Sequence, residues 1–353
     1  MPPRLYTLHP KPLTVLYGDL EAHAHSQPQV LLGTAGSLLQ RRNAAGFEFY
    51  ARQFYDGDGK KRESYVAGPI GSPEAEAVAA ALRSQMDDLK ALTGDLRLLG
   101  REGFQLADAK TYATLAVLSN AGLFRAGAVL VGSHAYGILL NQLGIRSAGY
   151  ATEDIDLARR QPLDLDAPHP DNLLGLLRSS GIEFVEVPGF HLGEPPTSYK
   201  QIGRSRFQVD LLVPAAGEEV GVVAVPELGA YATALPWLRY LLGDSQLAPV
   251  LAREGCCQVR VPLPERLALH KLLVSRLRTG RSSKAQKDLD QAAVLLAALA
   301  ELHPGAVVAA AAALPLAVRG RVAQGCSALA GVLRGQHERA WLELSEAGLI
   351  AEP

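Results

Sequence analysis

Asp154-Ile155-Asp156-Leu157 puts two carboxylates on one face of an extended segment and two apolar side chains on the other. Such a segment needs a hydrophobic layer behind it and positive charge in front. Two carboxylates side by side repel each other unless a cation neutralises them. Upstream, the apolar run Ala128-Val129-Leu130-Val131 leads into Gly132-Ser133 and then into an amphipathic stretch, His134 to Leu143, closed by Gly144. This reads as strand, turn and helix. The free N–H groups of the helix start and the Ser133 hydroxyl suit a phosphate. His134 reads as a residue of the helix start beside the phosphates, with no acid–base role. Asp154 and Asp156 are therefore candidate metal ligands beside a phosphate-binding turn.

A third carboxylate, Asp210, stands in the otherwise apolar strand Phe207 to Pro214, where it costs stability unless paired or coordinated. The bland alternative is an ion pair with Arg204 or Arg206. Pro264 at a first turn opens a helix in which Leu269, Leu272, Leu273 and Leu277 form the buried side, and Lys271, Ser275 and Arg278 a separate polar stripe. In the next helix Lys284, Lys287, Asp288 and Gln291 share one face.

The rest of the chain sets the frame. With 353 residues, 48% hydrophobic and 20% charged, it is long enough for more than one core. A net charge of −1 gives no global signal for nucleic acid, so any such contact needs a local patch. Cys256, Cys257 and Cys326 match neither a disulfide framework nor a zinc site, which points to a reducing, cytoplasmic compartment with the cysteines in the core. The prolines near the N-terminus argue against a signal peptide, and Ala292 to Val318 reads as helix pairs rather than a membrane span. Residues before 30 read as exposed and polar, and His23 and His25 lack partners at ligand spacing. The aromatic runs either side of Asp56-Gly57-Asp58-Gly59 predict a β-hairpin. Its aromatics are expected to pack on a helix. Arg52, Lys60, Lys61 and Arg62 are the candidates for a nucleic-acid contact. Ser72 starts a long helix through Leu99, and another follows from Asp108 to Phe124. A short strand is expected at Gln258 to Val261.

Gly-Ser at a helix start, Thr-x-Asp-Ile-Asp, a lone Asp on a later strand, and Lys271 followed by Lys287-Asp288-Leu289 resemble the DNA polymerase β-like nucleotidyltransferase superfamily. The nearest resemblance is to its abortive-infection and toxin–antitoxin members. It covers roughly residues 110–300. It implies an α/β (α+β) fold: a mixed sheet flanked by helices, with an N-terminal hairpin and helical region and a C-terminal helical bundle. The expected division is 1–70, 71–125, 126–263 for the catalytic core, and 264–353. By the same resemblance, Asp154, Asp156 and Asp210 hold two Mg²⁺ ions (or Mn²⁺), and Asp210 also helps to deprotonate the acceptor. Gly132, Ser133, Lys271 and Lys287 bind an NTP such as ATP, with Arg146 and Lys284 as second choices and Asp288 orienting a lysine. The longer connection between Ser133 and Asp154, with Gly144, Arg146 and Tyr150, is expected to loop over the nucleotide. The acceptor hydroxyl could belong to a tRNA 3′ end, a protein or a small molecule. The competing class is a non-catalytic nucleic-acid or partner-binding module on the same fold.

Overall fold

The computed structural model describes residues 4–148, 152–165, 172–189, 193–278 and 282–351. Tyr150 and part of the proline-rich loop after Gln161 lie outside them. The fold is α+β. Its main sheet runs in the order Gly221–Val225, Ala230–Leu235, Gln208–Pro214, Asp154–Arg159, Ala128–Val131. The middle three strands are parallel, and the two outer ones pair antiparallel with their neighbours. Ser198–Gln201 joins the first half of the Gln208 strand, and Phe184–Val187 adds to that. The alternation in Asp154–Arg159 is that of a half-covered strand: Ile155 and Leu157 are fully buried in the core while the aspartates stand on the other face.

One apolar cluster runs from Val30 to Leu349, through the sheet and the C-terminal helices. Pro264–Leu277 and Ser282–Leu302 pack on each other, and Ala292 to Ala300 are buried between elements. No single described helix is long and apolar enough to cross a membrane. All three cysteines are buried and unbridged, as expected of core side chains.

Several local readings change. The segment before residue 30 is not simply exposed and polar: Lys11–Ser26 is a helix that buries Tyr17, Leu20 and Ala24 against Leu96, Leu99 and Phe104. Those residues recur at helical spacing, but the flanking histidines and prolines mask the pattern. His25 Nδ1 lies 2.8 Å from Gln258 Nε2. The strand at Gln258–Val261 is the middle of a longer hairpin, Ser245–Ala252 with Gly255–Pro262. Its first arm carries Pro249 and no polar alternation, which hides it from a period-two reading. Leu277 is exposed rather than part of the buried side. The long helix matches expectation, as Pro73–Arg101 with the Ser72 hydroxyl accepting from the Ala75 N–H.

Candidate nucleotidyl-transfer site

Sheet register assembles the carboxylates. Parallel pairing sets Asp210 opposite Asp156 and Gln208 opposite Asp154. On the other edge Val131 pairs with Asp156, so the chain leaves its strand beside that carboxylate and turns at once into the helix Gly132–Gln142. Gly132 sits at φ +72°, and a Cβ there would stand 2.0 Å from Asp156 Oδ2. Only glycine allows the helix start to approach this closely. Ser133 follows in the first turn.

The partly buried Asp156 carries the electrostatic signature of the cluster. Burial, then Asp210, then Asp154 push its carboxyl up to about 7, and Lys271 and Lys284 offset part of this. Asp210 Oδ1 accepts from Gln208 Nε2 at 2.6 Å and from the Ser198 hydroxyl. The bland ion pair with Arg204 or Arg206 does not form among the described residues; both arginines are exposed at the turn before the strand.

The lysines arrive from the two helices that follow the sheet. Lys271 is buried, and its Nζ donates to Asp288 Oδ1 at 3.2 Å, while Arg278 Nε donates to Asp288 Oδ2 at 2.7 Å. The polar stripe on this helix is therefore not a solvated face: Lys271 and Ser275 are both buried. Burial lowers the Lys271 ammonium, and Asp288 and then Asp156 act to raise it. Asp288 thus pairs with a lysine from the preceding helix and with Arg278. Lys287 is lowered by burial and feels both Asp154 and Asp156, and Lys284 also acts on Asp156. Lys271, Lys284 and Lys287 are thus all within electrostatic reach of Asp156.

A family model described as a nucleotidyltransferase matches residues 109–314, more than half of the chain. The chain belongs to this nucleotidyltransferase family. No curated protein and no solved structure matches it. The matched span takes in the Gly-Ser helix, the carboxylate strands and both lysine-bearing helices of the nucleotidyltransferase.

For a divalent cation, the donor chemistry of the site fits. Asp154, Asp156 and Asp210 offer the carboxylate oxygens that Mg²⁺ takes, with phosphate oxygens and water to complete the shell. Among the described residues no three acidic, histidine or cysteine side chains form a ready-made ion cage. The suppressed ionisation of Asp156 marks negative charge that a cation would relieve. One consequence is testable without substrate. Because the folded Asp156 holds its proton more tightly than an unfolded aspartate, the metal-free nucleotidyltransferase should lose stability as pH rises from about 4 to about 7. Thermal melts in a chelator should show this as a fall of a few degrees that Asp156→Asn flattens. Equal slopes in the two proteins would contradict it.

Arg146 is not brought to the carboxylates. Ile145–Arg146 pairs with Thr7–Leu8, and the Arg146 side chain lies along Gly103. The Gly144–Arg146 part of the long connection thus anchors the N-terminal segment rather than covering a nucleotide. The hairpin also departs from expectation. It forms, as Glu48–Tyr55 with Lys61–Ala67, joined by Ser37–Arg42. Tyr50 packs on the long helix with its hydroxyl on Glu76, whereas Tyr55 and Tyr65 are exposed. Arg52 cannot serve as a nucleic-acid contact: it is buried, donates to the carbonyls of Leu32, Thr34 and Ala35, and lies over the Phe54 ring. Burial lowers its guanidinium to about 10. Lys60 pairs with Asp58 at 3.0 Å and Arg62 with Asp56 at 2.6 Å, so most of the basic tip is already neutralised. Lys61 is exposed.

Sequence reading missed the cavity beside the site. It has a volume of about 730 Å³ and is lined by Ser133, His134, Thr152, Glu153, Asp108 and Phe207 among others. His134 lies at its wall with Nε2 shielded from solvent and without a hydrogen-bond partner among the described residues. Burial lowers the imidazole to about 4, so it is neutral at physiological pH. These residues come from separate helices and turns, and no local pattern joins them.

Proposed function

We propose that the protein transfers a nucleoside monophosphate from an NTP to an acceptor hydroxyl in a reaction that depends on Mg²⁺. The observation that carries this reading is the register of Asp156 beside Asp210, at the start of the Gly-Ser helix and within electrostatic reach of Lys271, Lys284 and Lys287. Asp154, Asp156 and Asp210 would hold the metal, which when bound stabilises negative charge on the attacking and leaving oxygens. Ser133 and the first N–H groups of its helix bind the terminal phosphates. The lysines neutralise the triphosphate. Lys271 is held in place for this by Asp288, whose other oxygen is fixed by Arg278. The acceptor oxygen forms a bond to the α-phosphorus as the bond to the β-phosphate bridge breaks and pyrophosphate leaves. Asp210 takes the hydroxyl proton, and the hydrogen bonds from Ser198 and Gln208 fix the orientation of its carboxylate. The cavity lined by Glu153, His134 and Phe207 has room for the part of a substrate that lies beyond the phosphates.

Pyrophosphate release tests the reading. Each of the four NTPs is incubated with protein and Mg²⁺, alone and with bulk tRNA or an aminoglycoside. Release above background in at least one mixture is expected, and the mixture that supports it identifies the acceptor class. No release in any mixture, together with a melting temperature unmoved by Mg-NTP, would sink the proposal.

A further inference from the structure

A second cavity, of about 670 Å³, opens at the opposite end of the parallel strands from the carboxylates. The residues that follow all three strands line it: Arg160 after Asp154–Arg159, Ala215 after Gln208–Pro214, and Trp237 after Ala230–Leu235. Asp156 and Arg160 are four residues apart on an extended strand, a separation of about 13 Å. The cavity shares no lining residue with the one beside the carboxylates. A pocket of this size is within the range that small-molecule sites occupy.

The lining is specific in three ways. Trp237 is the single non-glycine residue at positive φ (65°) among the described residues, and its indole makes no hydrogen bond within them. A bulky residue held in that conformation costs stability, and such strain concentrates where a side chain serves a ligand. Arg239 is exposed, and among the described residues it has no ion pair while Arg160 has a neutral partner, the Gly243 carbonyl at 3.0 Å. The third guanidinium, Arg266, is neutralised by Asp244 and fixed on the Tyr240 carbonyl at 2.9 Å. Its guanidinium lies close over Gly243, where a Cβ would stand 2.5 Å from Nη1. Among the described lining residues, Arg160 and Arg239 then stand against one further carboxylate, Glu218, which leaves an excess of positive charge beside Trp237.

We propose that this cavity is a second binding site, separate from the carboxylate cleft, for a small molecule that joins a flat ring to an anionic group. The ring stacks on Trp237 and the anion is held by Arg160 and Arg239. Ala313 and Pro315, in the turn between two C-terminal helices, also line it, so a ligand there bridges the sheet and the helical region. Arg266 lies five residues before Lys271 on one helix, which links this cavity to the candidate catalytic cleft through a single rigid element.

The probe is 8-anilinonaphthalene-1-sulfonate, with N-phenyl-1-naphthylamine as the same ring system without charge. Fluorescence titration of the full chain is expected to give saturable, salt-sensitive binding of the sulfonate at one site. Trp237→Gly removes the ring at a position whose backbone suits glycine, so this variant should melt no lower than the native protein while its dissociation constant rises at least tenfold. Arg239→Glu should raise the constant by a similar factor, and Asp210→Asn should leave it unchanged. Unaltered binding in both cavity variants would overturn the proposal, as would equally tight binding of the uncharged probe. Tighter binding in Asp210→Asn, where one repelling carboxylate is gone, would show that the sulfonate occupies the carboxylate cleft instead. The test is independent of nucleotidyl transfer, so failure of either reading leaves the other standing.

Discussion

Asp156→Asn and Asp210→Asn are each expected to lower nucleotidyl transfer by at least about 10²–10³-fold, the scale on which loss of one preorganised charge-stabilising group acts. Their effect on stability should go the other way. Asp156 and Asp210 face each other across paired strands, and burial holds the Asp156 carboxyl up to about 7. Replacing either charge with a neutral amide of the same shape removes the repulsion. In metal-free buffer above pH 7 the variants should therefore melt at or above the native temperature. A residue kept at a cost to the fold and needed for transfer is what a functional carboxylate looks like. A purely structural Asp156 would give the reverse pattern, with stability lost and activity kept. Asp154 stands two residues earlier on the same face and should give the same loss of transfer.

Gly132→Ala is expected to be nearly as damaging, through geometry rather than charge. The added methyl would stand 2.0 Å from Asp156 Oδ2, and alanine at φ +72° is strained besides. The strain alone costs roughly 1–2 kcal/mol. The carboxylate or the helix start must also move, and a displacement of about 1 Å at a reacting centre can cost on the order of 10²-fold in rate. Gly144→Ala separates the two effects. Gly144 has a similar φ of +63°, but its Cβ would meet only Thr14 Cγ2, at 3.1 Å. The Gly144 variant should lose comparable stability by chemical unfolding and keep transfer near the native rate. If both variants keep transfer, the close approach of the Gly-Ser turn to Asp156 has no catalytic meaning.

The parts of this molecule that could be read from the sequence are those whose chemistry is local. Alternation at Asp154 to Leu157, the glycine turn before a helix, and a carboxylate inside an apolar strand each conflict with burial unless a site resolves them. The same rule misled at Arg52. Basic and aromatic residues on a ribbon look alike whether they face water or fold inward, and only the carbonyls of Leu32 to Ala35, about twenty residues away, decide that Arg52 is buried. Lys271 sits on a different kind of face from the one its spacing suggests. Helical periodicity placed it away from the leucines, whereas Asp288 on the neighbouring helix makes that side an interior one. Arg146 failed for a related reason: its strand pairs with residues near the N-terminus that carry no signal of their own. Both cavities are lined from distant parts of the chain, and no spacing rule reaches across such separations.

The most direct test of the account is the fate of the two ends of the triphosphate. With the NTP that supports pyrophosphate release, reactions are run in parallel with label at the α-phosphate and at the γ-phosphate, in Mg²⁺, with native protein and Asp210→Asn. The account predicts that α-label moves to the acceptor, γ-label appears only in pyrophosphate, and both signals vanish in the variant. Transfer of γ-label to the acceptor, or α-label transfer undiminished in Asp210→Asn, would contradict it.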